Sequence, residues 1–240
     1  MSAPQEETRP LKNKILSSLS PGVYEGLSQY LEPVPLEHGK ILHQPEEPIS
    51  HVYFINTGLI SILSLLEDGS TIEVAVVGHE GLSDTSALLG ASVSPHQSLV
   101  QIPGDALRMK IDAFKEEVRR NGQFQALLLR YASMLIAQIS QAAVCNALHT
   151  IEERLARWLL MSALRTESEN LPLTQEFISH MLGVRRAGVT VAARTLQTAG
   201  LIRYNRGDIT ILDHEGLEAA ACECYQNNRT EFMRYMEFKD

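Results

Sequence analysis

The chain is poor in cysteine. Cys145, Cys222 and Cys224 are the only three in 240 residues, and an odd, sparse set makes no disulfide framework, which points to a reducing compartment. Long hydrophobic runs are missing too. No uninterrupted apolar stretch approaches the roughly 18–20 residues that cross a bilayer, so no membrane partner is expected. The opening residues, MSAPQEETRP, hold no basic segment leading into an apolar one. No secretory signal is read there, and the expected location is the cytoplasm. A Gly-rich phosphate loop, a G-x-S-x-G elbow and an H-E-x-x-H helix are all absent, so neither an enzyme nor a cofactor is indicated. Positive charge is in deficit: 21 Lys and Arg against 29 Asp and Glu leave a net −8. Taken over the whole chain, that argues against nucleic acid.

What is present is an ordinary globular composition, 44% hydrophobic and 21% charged. The length fits one or two domains at roughly 100–200 residues each. Residues 1–10 read as a flexible polar tail. Short helices follow to Leu31, one opened by Ser20 as N-cap with Pro21 in the first helical position. From Val34, glycines punctuate short β-rich runs, of which Ile49–Ile55, Leu59–Leu65 and Thr71–Val77 are the clearest. Asp68-Gly69 reads as a hairpin turn. Asn56-Thr57-Gly58 reads as another, and Pro103-Gly104-Asp105 as a third, between Leu99–Ile102 and Ala106–Ile111. Evenly spaced strands of this kind predict an antiparallel, jelly-roll-like β-roll over residues 11–120.

Asp112–Arg120 reads as a short helix, and residues 121–148 as one long one. In it Leu128, Leu135 and Ala142 recur every seven residues, with Tyr131 and Ile139 at three- and four-residue offsets. This imperfect heptad predicts a dimerisation helix, hence a homodimer; the alternative is a buried core helix. His149–Thr166 is a further amphipathic helix, and Glu167–Asn170 a polar break. The expected class is α+β, with residues 149–240 as the last domain.

That domain carries the chemistry. Thr174 can cap a short helix beginning at Gln175, Gly183 supplies a tight turn, and a second helix runs from Arg185 to Ala199. Two short β runs then flank Asn205-Arg206-Gly207-Asp208. Helix, glycine turn, helix and hairpin together predict a winged helix-turn-helix. Between Val184 and Gly207 lie Arg185, Arg186, Arg194, Arg203 and Arg206, with no Asp or Glu. The alternative for such a stripe is a solvated basic face. Arginine suits both guanine edges and phosphates, and the N-terminus of a recognition helix enters the major groove first. Arg185, Arg186 and Thr190 are therefore expected to read bases and Arg194, Arg203 and Arg206 to position phosphates. Thr174, Gln175 and Gly188 complete the expected double-stranded DNA-facing set.

At these residues the sequence resembles the Crp/Fnr family of bacterial transcription regulators. LTQEFISHMLGVRRAGVTVAARTLQTAGLIRY is similar to the family's winged helix-turn-helix, and VYFINTGLISILSLLEDGSTIEVAVVGHEG to its cyclic-nucleotide-binding-like β-roll. The resemblance implies a dimeric regulator whose β-roll senses an effector and re-aims two recognition helices, with RNA polymerase as a candidate further partner. The family's cyclic-AMP branch has Ser-Arg-Glu-Thr-Val-Gly-Arg where this chain has Arg185 to Val191. Arg186 matches the first base-reading arginine, while Ala187 and Val191 replace the glutamate and the second arginine. That implies a different operator. The corresponding effector pocket would draw on Gly78, Glu80, Gly81, Ser83, Gln97 and Ser98. Ser83 replaces the family's glutamate, and Gln97-Ser98 its Arg-Ser, so the charged grip on a cyclic phosphate is gone. The effector stays unidentified. With no cysteine before Cys145, the N-terminal iron–sulfur mechanism of the oxygen-sensing branch is excluded.

Other constellations are weaker. His43, His51, His79 and His96 fall in the β-roll and leave open a cupin-like metal-binding barrel enzyme. His149 with Glu152 and Glu153 lies at the expected hinge. His180 is expected to face solvent or phosphate. GLEAAACECYQ reads as one helix, on which Cys222 and Cys224 would point to different sides, which favours packing or surface thiols over the alternative of a zinc or redox site.

Overall fold

Asn13 anchors the start of the fold. In the computed structural model, which describes residues 10–205 and 207–237, its side chain caps α1 (Lys14–Ser17) by accepting from Leu16 N. Its Nδ2 donates to Ile55 O and Gly81 O, each at 2.8 Å. Helix α2 (Pro21–Ser28) follows with Pro21 at its first position, as expected. Five antiparallel strands then build the β-roll: β1 (Glu32–Leu36), β2 (Ile41–His43), β3 (His51–Leu65), β4 (Thr71–Val77) and β5 (Gln97–Lys110). Their order is β1-β5-β3-β4, with β2 also on β5. The β3–β4 hairpin turns through Gly69 at φ +82°, where Asp68-Gly69 predicts it.

The other two expected turns are not turns. Residues 56–58 and 103–105 lie inside the continuous strands β3 and β5. Gly58 has φ +89°, and a Cβ there would meet Ile102 O at 2.6 Å; one on Gly104 would meet Thr57 O at 2.2 Å. The register shifts between Ile55 and Ile60. These glycines mark a bulge where two long strands approach too closely for side chains, so the sheet bends without reversing the chain.

Helix α3 (Ile111–Arg120) leads into α4 (Gly122–Leu148), capped by the Asn121 side chain. A Thr150/Glu153 capping box opens α5 (Ile151–Thr166). The rest is β6 (Asn170–Pro172), α6 (Gln175–Leu182), α7 (Arg186–Thr198), β7 (Ile202–Asn205), β8 (Asp208–Ile211), α8 (His214–Ala220) and α9 (Cys224–Met236), with a small sheet ordered β6-β8-β7.

The phase of the expected α4 seam is corrected. Leu128, Tyr131, Leu135 and Ala142 are buried inside the single chain and Ile139 is half-buried. They face the β-roll and α9, so they are not available to a second copy. One residue on, the same seven-residue period is exposed: Leu129 is 50% and Ile136 56% accessible, and Ala143 is exposed as well. Helix α4 is apolar on two faces, and hydropathy alone does not say which one turns inward. It has the length and composition of a bilayer span, but its inner face is committed to this core.

One buried ion pair joins the parts. Arg165, on α5, donates from Nε to Glu80 Oε1 at 2.7 Å, from Nη2 to Gln138 Oε1 of α4 at 2.8 Å, and from Nη1 to Met161 O at 3.2 Å. Glu80 Oε2 accepts from Gly78 N, and Gln138 Nε2 donates to Val76 O. The guanidinium also lies 4.9 Å from the Phe232 ring centroid of α9. Both charged side chains are fully buried. Nearby, the Trp158 indole donates to Glu73 Oε1 of β4 at 2.7 Å, a second link between α5 and the β-roll. Breaking a buried pair from one side leaves an unpaired charge, which costs about 3–5 kcal/mol. Arg165→Met should therefore lower the urea-denaturation free energy by about that much, and adding Glu80→Gln should recover much of the loss.

Candidate nucleic-acid interface

Local sequence builds the helix-turn-helix. Thr174 Oγ1 accepts from Phe177 N at 3.2 Å and starts α6. Gly183 ends it at φ +61°, a left-handed position that favours glycine. A Cβ at Gly183 would also press on Ile72 of β4, 3.0 Å away. Val189, Ala192, Ala193 and Leu196 turn inward from α7, as their spacing predicts. The outer side presents Arg185, Arg186, Ala187, Val191 and Arg194, and β7 adds Arg203; all six are exposed, as is Thr174. Among the described residues, no carboxylate pairs with Arg185, Arg186, Arg194 or Arg203. Arg206 lies outside the described residues. No acidic residue occupies the first turn of α7, so its positive dipole end and Arg185–Arg186 reinforce each other.

Three of the expected DNA-facing residues, Gln175, Gly188 and Thr190, also make contacts inside the domain. The Thr190 hydroxyl lies 3.0 Å from both Gln175 Oε1 and Arg186 O. It is half-buried, and with Gln175 it braces α7 against α6. Gly188 is half-buried too; a Cβ there would sit 3.0 Å from Ile151 Cδ1, so its role is to let α7 close on α5. Conversely, Val191, 60% accessible, stands on the outer face as a large apolar side chain. It has no hydrogen-bonding group, so no polar motif in the sequence marks it. Gln175, Thr190, Arg194, Gln197 and Tyr204 line a groove of about 160 Å³ beside it. Partial burial raises the Tyr204 phenol's pKa.

The six effector-pocket candidates separate into two groups. Gly78, Glu80 and Gly81 are covered by the chain itself. A Cβ on Gly78 would meet Arg165 Cβ at 2.8 Å, and one on Gly81 would meet the Tyr131 ring at 2.0 Å. Glu80 is held by Arg165, so it is an interdomain anchor. Tyr131 and Tyr235 close over this segment, their hydroxyls donating to Leu82 O and Glu80 O, each at 3.0 Å. Ser83 and Ser98 do come together, inside the roll: Ser98 Oγ donates to Ser83 O at 3.1 Å, and Ser83 Oγ lies 3.0 Å from His43 Nε2. Gln97 Nε2 donates to Gln44 Oε1. Burial lowers the His43 pKa, against the pull of the nearby Asp84 carboxylate.

The cupin-like alternative fails on geometry. His43 meets Ser83, His51 meets Ser50, and His79 Nδ1 lies 2.8 Å from Arg165 O, at the domain junction. Among the described residues, the four β-roll histidines form no metal-sized group. His180 is exposed on α6. The single helix expected for GLEAAACECYQ is also corrected. Helix α8 stops at Ala220 and α9 starts at Cys224, so a turn, not a helical face, carries Cys222.

Comparison with known proteins agrees with this geometry. Residues 153–220 match a Crp-like helix-turn-helix domain, and residues 33–121 a cyclic nucleotide-binding domain. A CRP-like cAMP-activated global transcriptional regulator of Mycobacterium tuberculosis is 22% identical over 86% of this chain and 96% of its own. The global nitrogen regulator of a Nostoc species is 23% identical over 73% of this chain and 82% of its own. Among solved structures, FixK2 from Bradyrhizobium japonicum superposes with a TM-score of 0.68 at 17% identity, covering 80% of this chain and 98% of its own. The matched relatives are transcription regulators, not enzymes. The chain belongs to the Crp/Fnr family of transcription regulators, with a helix-turn-helix DNA-binding domain.

Proposed function

We propose that the chain acts in the cytoplasm as a homodimer that reads duplex DNA through α7 and the β7–β8 wing. The observation that carries this reading is the arginine stripe on the outer side of that unit, which has no carboxylate partner among the described residues. Arg185 and Arg186, at the N-terminus of α7, are placed to enter the major groove first and to donate to guanine. Ala187 and Val191 offer methyl groups to thymine on the same face. Arg194 and Arg203, with Arg206 from the sequence, hold phosphates and set the register. RNA polymerase is the further partner through which such a dimer would act on transcription. The β-roll serves as the sensor, for an effector gripped otherwise than by the charged pair of the cyclic-AMP branch, because Ser83, Gln97 and Ser98 stand in those places.

The dimer forms along the exposed face of α4. Ala126, Leu129, Ser133, Ile136, Ser140, Ala143 and Ala147 repeat at alternating three- and four-residue steps, the spacing of a two-helix seam with small residues between larger ones. Two-fold pairing there would set the two α7 helices for half-sites about one helical turn apart, roughly 34–36 Å. Ile136→Glu should give folded monomers by sedimentation. Leu135→Glu, on the inner face, should instead unfold the chain; a folded dimer in Ile136→Glu would reject this seam.

Selection from a random duplex pool tests the DNA reading. Wild-type protein should enrich one two-fold-related sequence, with affinity falling steeply as salt rises. Arg186→Ala should lose about 1–3 kcal/mol and relax preference at one position per half-site, whereas Arg203→Ala should weaken every duplex alike and flatten the salt dependence. No enrichment at any salt concentration would reject the reading.

A further inference from the structure

The cysteines that sequence spacing separates are brought to one point. Cys145 lies in the last turn of α4 and His149 is that helix's C-cap, where the backbone turns extended. Cys222 comes from the turn between α8 and α9 and Cys224 is the first residue of α9, both more than seventy residues further along the chain. The Sγ atoms of Cys145 and Cys222 are 3.5 Å apart, and Cys224 Sγ is 3.5 Å from His149 Nδ1. All four atoms lie within 4.8 Å of one another. The three thiols are buried, and the His149 side chain is 12% accessible.

We propose that Cys145, His149, Cys222 and Cys224 form a tetrahedral Cys3His site for one zinc ion. Four ligands at about 2.0–2.3 Å from a common centre stand roughly 3.5–3.8 Å from each other, which is close to the spacing found. A cluster with several irons would need its ligands spread more widely than these. Three thiols and one imidazole are a soft donor set that structural zinc sites use.

Independent features point the same way. His149 offers Nδ1 to the centre, while its Nε2 lies 3.2 Å from Glu223 Oε2. That is the carboxylate–histidine pairing that fixes the ring and tautomer of a metal-binding histidine. Gln141 Nε2 donates to Cys224 Sγ at 3.0 Å, a hydrogen bond suited to a thiolate. Two guanidiniums, Arg154 and Arg157, are more than nine-tenths buried, and the Nε of each has no hydrogen-bond partner among the described residues. Both interact with Cys145. Zinc with three thiolates and a neutral imidazole carries one net negative charge, which buried cations beside it would stabilise. Binding would release one proton from each of the three thiols, leaving the sulfurs unoxidised. The ion would tie the α4–α5 hinge to the C-terminal helix, which packs along α4 and reaches Arg165 through Phe232. The site stands independently of the DNA-binding reading.

Untagged full-length protein, purified with reductant and without added metal, should carry about one zinc per chain by elemental analysis. After chelation, titration with Co2+ should produce the visible bands of tetrahedral, thiolate-bound cobalt, saturating at one equivalent. Removing the metal should lower the thermal midpoint, and zinc should restore it. Cys222→Ser and Cys224→Ser should each lose the cobalt bands, while Cys224→His, which keeps four ligands, should retain weakened ones. Metal-free protein with a featureless cobalt titration would overturn the proposal. So would iron with cluster absorption, or a Cys145–Cys222 disulfide in the reduced preparation.

Discussion

One guanidinium holds this molecule together. Arg165 belongs by sequence to the DNA-binding half, yet its hydrogen bonds run to Glu80 of the β-roll and Gln138 of α4, and its face rests on Phe232 of α9. A fully buried cation is tolerated only when its donors are answered. The local sequence is arranged around that demand. Gly78 has no side chain because Arg165 passes where one would sit. Gly81 has none because Tyr131 does, and that same tyrosine fixes α4 against the roll. The sensor, the long helix and the reading head therefore share one polar junction, and displacement of residues 78–82 has a direct physical route to α5, on which α7 packs.

How much of this was legible in the sequence depends on whether the signal was local. The helix-turn-helix was legible because each part carries its own chemistry: the Thr174 cap, the left-handed Gly183, the inward row from Val189 to Leu196. Gly58 and Gly104 were visible as special positions, but a bulge and a turn make the same demand on a glycine, and only the partner strand distinguishes them. Helix α4 showed its seven-residue period and hid its phase, since Leu128–Leu135 and Leu129–Ile136 repeat equally well. Glu80 read as a pocket residue because its partner lies 85 positions away. Cys222 and Cys224 read as divergent because no local pattern announces the helix break between α8 and α9.

The charge of the chain is reconciled in the same way. Residues 150–240 hold 11 basic and 13 acidic residues, so even the reading half is not basic overall. Its arginines are nonetheless sorted by burial. Arg154, Arg157 and Arg165 are turned inward, whereas Arg185, Arg186, Arg194 and Arg203 are exposed and have no carboxylate partner among the described residues. A net charge counts both groups alike, and only the second is available to DNA. The acidic excess elsewhere should limit non-specific attraction and concentrate affinity in one short face.

Native-state hydrogen exchange tests most directly whether the three parts are one cooperative unit. If the Arg165 junction couples them, the buried amides of residues 78–82, the middle of α4 and the C-terminal half of α5 will exchange with a common opening free energy, and Arg165→Met will lower all three together. Exchange of α5 at a separate, lower free energy, unchanged by that substitution, would contradict the account.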